Sequence, residues 1–134
     1  MASELRVNTL KDASGNNSIA TSFVASGSAK CWVNFNGTST AATRDSFNLS
    51  SLTDNATGDF TISFSSSFSN NDYTVGGTTR SPGVISGGGY QAPADSDSDQ
   101  ATGSLRAYTI SLSSGSLSVA DLSYCYPSLH GDLA

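Results

Sequence analysis

Two short runs alternate strictly between apolar and polar residues, and they restrict the chain to a β fold. In "KCWVNFN", residues 30–36, Cys31, Val33 and Phe35 share one face, and Trp32, Asn34 and Asn36 share the other. In "DFTISFS", residues 59–65, Phe60, Ile62 and Phe64 face one way, with Thr61 and Ser63 opposite. A period of two marks a half-buried strand, because successive side chains leave a strand on opposite sides. No window repeats apolar residues at i, i+3 and i+4 over enough length to predict a helix.

The same reading predicts further strands. "RAYTISL", residues 106–112, sets Tyr108, Ile110 and Leu112 together. "SLSVADLSYCY", residues 116–126, begins with Leu117 and Val119 on one face and ends with Leu122, Tyr124 and Tyr126 on the other. That change of phase predicts a bulge near Ala120–Asp121. "ELRVNTL", "NSIATSFV", "SFNLSSL" and "DYTVGGT" complete the set, and "LSSGSLS" reads as a tight hairpin. Turn chemistry separates the runs at "ASGNN", "NFNGTS", "TDNATGD" and "SSGS". The expected fold is all-β: an antiparallel β-sandwich or jelly-roll-like domain over residues 29–134, preceded by a short N-terminal β arm over residues 1–28. The arm holds little to bury and suits pairing with other chains. Residues 80–104, rich in Gly, Pro and Asp, read as a long loop of the kind that usually carries function.

Composition removes several function classes. Only 13 % of residues are charged, against roughly 25 % in an average globular domain. Serine and threonine, about three residues in ten, take their place and wet the surface with hydroxyls. With 37 % apolar residues and a net charge of −5, the chain is outside the regime of disorder. The six basic residues are scattered, and the pI is near 4.4. No nucleic-acid or anionic-membrane partner is expected. "MASELRVNTLKD" has no apolar stretch that would make it a secretory leader, and no segment approaches the ~18 apolar residues of a membrane span. Synthesis in a cytosol, without export by the general route, is therefore expected. Cys31 and Cys125 then read as two buried thiols, or as one bridge between strands. With one histidine they cannot build a four-ligand zinc site.

Residues that could do chemistry are few. His130 is the single histidine and stands near the C-terminal end, in a stretch expected to be mobile. No G-x-S-x-G elbow occurs. The aspartates that could serve as a glycosidase pair, Asp45, Asp54, Asp59 and Asp72, sit in turn or strand-end contexts where aspartate is common anyway. No enzymatic activity, cofactor or resident metal is expected. "DSDSD" places Asp95, Asp97 and Asp99 at positions 1, 3 and 5 of a calcium loop, but Gln100 stands at position 6 and Arg106 at position 12, where glycine and glutamate belong. It reads as a solvated acidic loop or as a weak divalent-cation site shared between subunits. The sequons at Asn16, Asn36, Asn48 and Asn55 read as a by-product of composition. Two aromatic residues are binding candidates. Trp32 could cover a second core, enter a subunit interface or stack on a sugar. Tyr90, between glycines and Ala-Pro, is either a contact residue on a loop or a lid on the core.

One segment carries a family resemblance. "KCWVNFNGTSTAATRDSFNLSSLTDNATGDFTISFSSSFSNNDYTV", Lys30 to about Val75, resembles a segment of tail-fibre and other virion proteins of bacteriophages, especially phages of marine bacteria and cyanobacteria. In those proteins a K-x-W-V-N-F-N-G-T strand and turn is followed by R-x-S-x-N-x-S-S-x-T-D-N-x-T-G-D-(F/Y)-T and then (N/D)-Y. "ELRVNTLKDASGNNS" is similar to the lead-in of such proteins, and Cys31 stands where they usually have alanine. The resemblance implies a virion structural protein, made and assembled in the bacterial host cytoplasm. It names no catalytic residue. The expected function is a homotrimeric tail-fibre or adhesin component contributing to host attachment. The alternative is a capsid decoration protein that stabilises the head. Expected partners are sister chains, other virion proteins, and a host cell-surface glycan or protein. The contact residues would be Tyr90, Asp95, Asp97 and Asp99 on the long loop, with Trp32.

Overall fold

The computed structural model describes residues 6–80, 99–113 and 115–134. Twelve strands and one helix form among them. They are β1 (Thr9–Lys11), β2 (Ser18–Ala20), α1 (Thr21–Gly27), β3 (Cys31–Asn36), β4 (Ala42–Phe47), β5 (Leu49–Ala56), β6 (Asp59–Phe64), β7 (Thr74–Arg80), β8 (Gln100–Ala101), β9 (Ser104–Tyr108), β10 (Ile110–Ser113), β11 (Ser116–Val119) and β12 (Tyr124–His130). Eight of them build two antiparallel four-stranded sheets, ordered β4-β3-β12-β7 and β5-β6-β9-β8. The sheets pack face to face, and the expected all-β sandwich is formed.

The alternating runs supply the core as expected. Cys31, Val33 and Phe35 of β3 meet Phe60, Ile62 and Phe64 of β6, all buried. The Phe35 and Phe60 rings stand edge to face at 5.0 Å. At the other end Phe64, Phe68 and Tyr73 cluster, with Phe68 and Tyr73 stacked at 4.3 Å. Each buried phenylalanine contributes about 2–3 kcal/mol. The Tyr73 hydroxyl donates to the carbonyls of Ala101 and Ser104 at 3.1 and 2.9 Å, which ties this cluster to the turn before β9. Both cysteines are buried thiols and do not form a disulfide. The pairing of β3 with β12 sets Cys31 opposite Leu129 and Cys125 opposite Phe35. The two thiols are thus four strand positions apart, about 13 Å, far beyond bridging distance. Burial pushes the Cys31 thiol up to about 11.

Four expectations are corrected. First, "NSIATSFV" is not one strand. Pairing with the three-residue β1 ends at Ala20 and Thr21, and with no further strand alongside, the chain satisfies its donors within α1. Lys30 Nζ then donates to the carbonyls of Ala25 and Ser28 at the C-terminal end of that helix, where a cation is favoured. Second, "SFNLSSL" spans a corner between the two sheets. Asn48 sits there in the left-handed region, φ 59°. Its Nδ2 donates to the carbonyls of Lys30 and Ser66, both at 2.9 Å, and its Oδ1 accepts from the Ser66 N–H at 2.7 Å. Third, residues 106–112 change partners midway. Leu105 and Ala107 point inward rather than Tyr108, Thr109 is buried, and β10 leaves the sandwich. Fourth, no bulge lies at Ala120–Asp121. The chain passes there from the β10–β11 hairpin into the first sheet, held by Thr109 Oγ1 donating to the Ala120 carbonyl at 2.6 Å and by the Gly58 N–H donating to Asp121 Oδ1 at 2.7 Å. Leu122 precedes β12, so its parity is not inherited. Cys125, Pro127 and Leu129 face the core, and Tyr124 and Tyr126 face outward.

Two appendages stay outside the sandwich. The β1–β2 hairpin with α1 contains no buried residue among those described, and Phe23 is 71 % exposed. The β10–β11 hairpin pairs only with itself. Ile110 lies opposite Val119 and Leu112 opposite Leu117, while serines pair at Ser111–Ser118 and Ser113–Ser116. Leu117 is 69 % and Val119 50 % exposed.

Candidate functional site

The outer face of the β4-β3-β12-β7 sheet collects aromatic and polar side chains from all four strands. Strand register arranges them in rows. Phe47, Trp32, Ser128 and Gly76 lie side by side across the sheet. The next row holds Asp45, Asn34, Tyr126 and Thr78, and beyond it come Asn36, Tyr124 and Arg80. Trp32 is 37 % and Phe47 52 % exposed. Gly76 has no side chain, so the row stays flat beside Ser128. Pro127 in the centre of β12 lacks a donor for the ladder, and Gly77 is its register partner on β7.

Tyr124 is the fixed point of this face. Arg44 from β4 and Arg80 from β7 lie over its ring at 4.5 and 4.8 Å from the centroid, and Tyr126 stacks beside it at 6.1 Å. Arg44 reaches Tyr124 because the β3–β4 register shifts between Asn34 and Phe35, leaving it as the extra residue. Its guanidinium also donates to the Ser123 carbonyl at 2.7 Å and to Asn34 Oδ1 at 3.4 Å. Among the described residues no carboxylate pairs with either arginine. Asp45, on the same face, accepts from the adjacent Ser46 N–H. His130 ends β12, half-buried, with Nε2 3.2 Å from Ser128 Oγ. It belongs to a paired strand and not to the mobile tail expected of it.

The second sheet carries a different cluster. Asp59, buried, accepts from Arg106 Nε at 3.0 Å and Nη2 at 2.5 Å, and from Asn55 Nδ2 at 3.1 Å. The Arg106 contact holds the Asp59 carboxyl below the usual carboxylate range, and the Arg106 pKa is raised in turn. Asp99 is buried beside this pair, 3.8 Å from Arg106 Nη1. It is therefore built into a structural ion cluster rather than displayed on an acidic tip.

Tyr90, Asp95 and Asp97 lie outside the described residues, as does most of the expected 80–104 loop. The C-terminal end of that loop forms β8. Among the described residues no three His, Cys, Asp or Glu side chains gather as a metal centre would require, and no helix is long and apolar enough to cross a membrane. The amide nitrogens of Asn36, Asn48 and Asn55 are all engaged in internal hydrogen bonds. Of the candidate contact residues among the described residues, Trp32 falls on the aromatic face and Asp99 does not. Phe47, Tyr124, Tyr126, Arg44 and Arg80 were missed, because strand pairing and not sequence proximity brings them together. The one local signal was "YCYPSLH", where Cys125, Pro127 and Leu129 alternate with Tyr124, Tyr126, Ser128 and His130. No family model, curated protein or solved structure matches the chain.

Proposed function

We propose that this chain is a structural protein of a bacteriophage virion, a homotrimeric tail-fibre or adhesin component that contributes to host attachment. Residues 1–28 act as the attachment and assembly arm, and residues 29–134 form the domain that faces the host. The resemblance of Lys30 to about Val75 to phage virion proteins supports the origin. The observation that carries the reading is the pair of uncovered appendages. A lone two-stranded hairpin is marginal in water, and strand edges without charge invite pairing with another chain. Residues 13–29 and 107–120 contain no Asp, Glu, Lys or Arg, so burying them against sister chains strands no charge. Closed three-fold assembly would cover both appendages and leave the aromatic sheet face free for a host-surface glycan or protein.

The test is the copy number of the chain in purified virions, measured by quantitative mass spectrometry against the major capsid protein. A few to a few tens of copies, in multiples of three, are expected. Hundreds of copies would overturn the attachment role and make the chain a capsid decoration protein.

A further inference from the structure

We infer that the outer face of the β4-β3-β12-β7 sheet binds an acidic oligosaccharide, with Trp32 and Phe47 stacking on one sugar ring and the Arg44–Tyr124–Arg80 cluster, four strand positions away or about 13 Å, holding the carboxylate of a neighbouring sugar. The inference deepens the attachment reading by naming what the face would hold. Three features carry it. The first is flatness: adjacent strands set Trp32 beside Phe47 in one row, and Gly76 ends that row without a side chain. A pyranose presents an apolar face of C–H groups to such a platform, and aromatic rings are the side chains that match it while leaving their edges wet.

The second is charge. The chain carries a net charge of −5, yet two of its six basic residues converge on one tyrosine with no carboxylate paired to them among the described residues. Arg106, by contrast, is bound to Asp59. Arg44 is held by the Tyr124 ring and the Ser123 carbonyl, and Arg80 by the ring; such groups lose little freedom on meeting a carboxylate, and the guanidinium fork fits it with two parallel hydrogen bonds. The third is the polar set around the platform. Asn34 and Asp45 lie between it and the cluster, Ser128 in its own row and His130 on its far side, and they offer donors and acceptors suited to sugar hydroxyls. Asp45 also disfavours an anion placed directly over it. That directs the carboxylate toward Tyr124 and leaves the hydroxyls to the Trp32 row.

The probes are immobilised trisaccharides, a uronic-acid and a sialylated set against neutral ones of matched linkage, tested with the full chain. At least one acidic probe is expected to bind about tenfold more tightly than its neutral counterpart, the difference one charge-assisted contact supplies. Arg44→Lys with Arg80→Lys should remove most of that preference, and Trp32→Ala should weaken acidic and neutral probes alike. Nuclear magnetic resonance on the unaltered chain should place the shifted amides on β3, β4, β7 and β12, which keeps the inference testable if a variant fails to fold. Equal binding of acidic and neutral probes, binding by none, or shifts confined to another face would overturn it. A change in oligomer mass on Trp32→Ala would also overturn it, by making the face an interface between copies. Copy number and host-cell attachment are read separately, so the saccharide inference and the attachment role can fail independently.

Discussion

Asn48 joins three elements at the corner where the chain crosses from one sheet to the other, and Asn48→Ala tests whether that corner is held by its side chain. The amide makes three hydrogen bonds, two to the carbonyls of Lys30 and Ser66 and one from the Ser66 N–H. Each is worth about 1 kcal/mol net. Because Asn48 is half-buried, water recovers part of this, leaving about 2 kcal/mol lost. The φ of 59° adds about 1 kcal/mol for alanine, which lacks the local hydrogen bonds that let asparagine occupy this region. The total is about 3 kcal/mol, or about 10 °C in the melting temperature of a domain this size. Asn48→Gly carries no conformational penalty and should lose only about 2 kcal/mol. Asn48→Asp keeps an acceptor for Ser66 but turns an oxygen toward two carbonyls, so it should be at least as harmful as alanine. Urea unfolding of the purified variants measures all three. If alanine and glycine cost the same, and each less than about 0.5 kcal/mol, the corner is held by packing alone and the reasoning fails.

Other outcomes follow from the core and the ion cluster. Gly58 adopts φ +65°, and a Cβ there would lie 2.6 Å from the Ala120 nitrogen and 2.8 Å from the Thr109 oxygen. Gly58→Ala should therefore cost at least about 2 kcal/mol by thermal melting, through both strain and overlap. Arg106 holds the Asp59 carboxyl low, so its stabilisation is present above the unfolded value of about 3.9 and is lost as pH falls through the folded value. Asp59→Asn should lower stability at pH 7 and flatten the acid limb of the stability curve, and an unchanged limb would show that Asp59 is not the responsible group. Burial and a thiol raised to about 11 leave Cys31 almost wholly protonated at pH 8, so a chromogenic disulfide reagent should modify it only after unfolding. Fast labelling of Cys31 in the native protein would contradict its place in the core.

The parts of the fold legible in the sequence are those where one strand keeps one partner layer along its length. Cys31, Val33 and Phe35, and likewise Phe60, Ile62 and Phe64, alternate cleanly because β3 and β6 are central strands with one face inward. The tight turn between Ser113 and Ser116 was legible for the same reason, since its glycine interrupts two alternating runs. Parity fails where the chain changes layer. Tyr108 and Leu105 exchange roles because β9 belongs to the sandwich and β10 does not. Tyr124 and Tyr126 share sequence parity with the buried Leu122 but face outward, because an irregular corner separates them from it. The helix was missed because α1 spans only seven residues and buries none, so it has no apolar stripe to reveal it. Of the aromatic and basic residues of the candidate site, Trp32 alone was legible as a contact residue. Its companions Phe47 and Tyr126 are fixed by pairing across β3, and Arg44 by a register shift that no local pattern announces.

The most direct test of the account is the native mass of the chain at micromolar concentration, compared with that of a Leu117→Ser, Val119→Ser variant. The account expects three times 13.7 kDa for the unaltered protein, and a shift toward the single chain once the exposed face of the β10–β11 hairpin is made polar. A stable monomer with both appendages in water, or a trimer indifferent to the two substitutions, would contradict the claim that the uncharged stretches 13–29 and 107–120 meet sister chains.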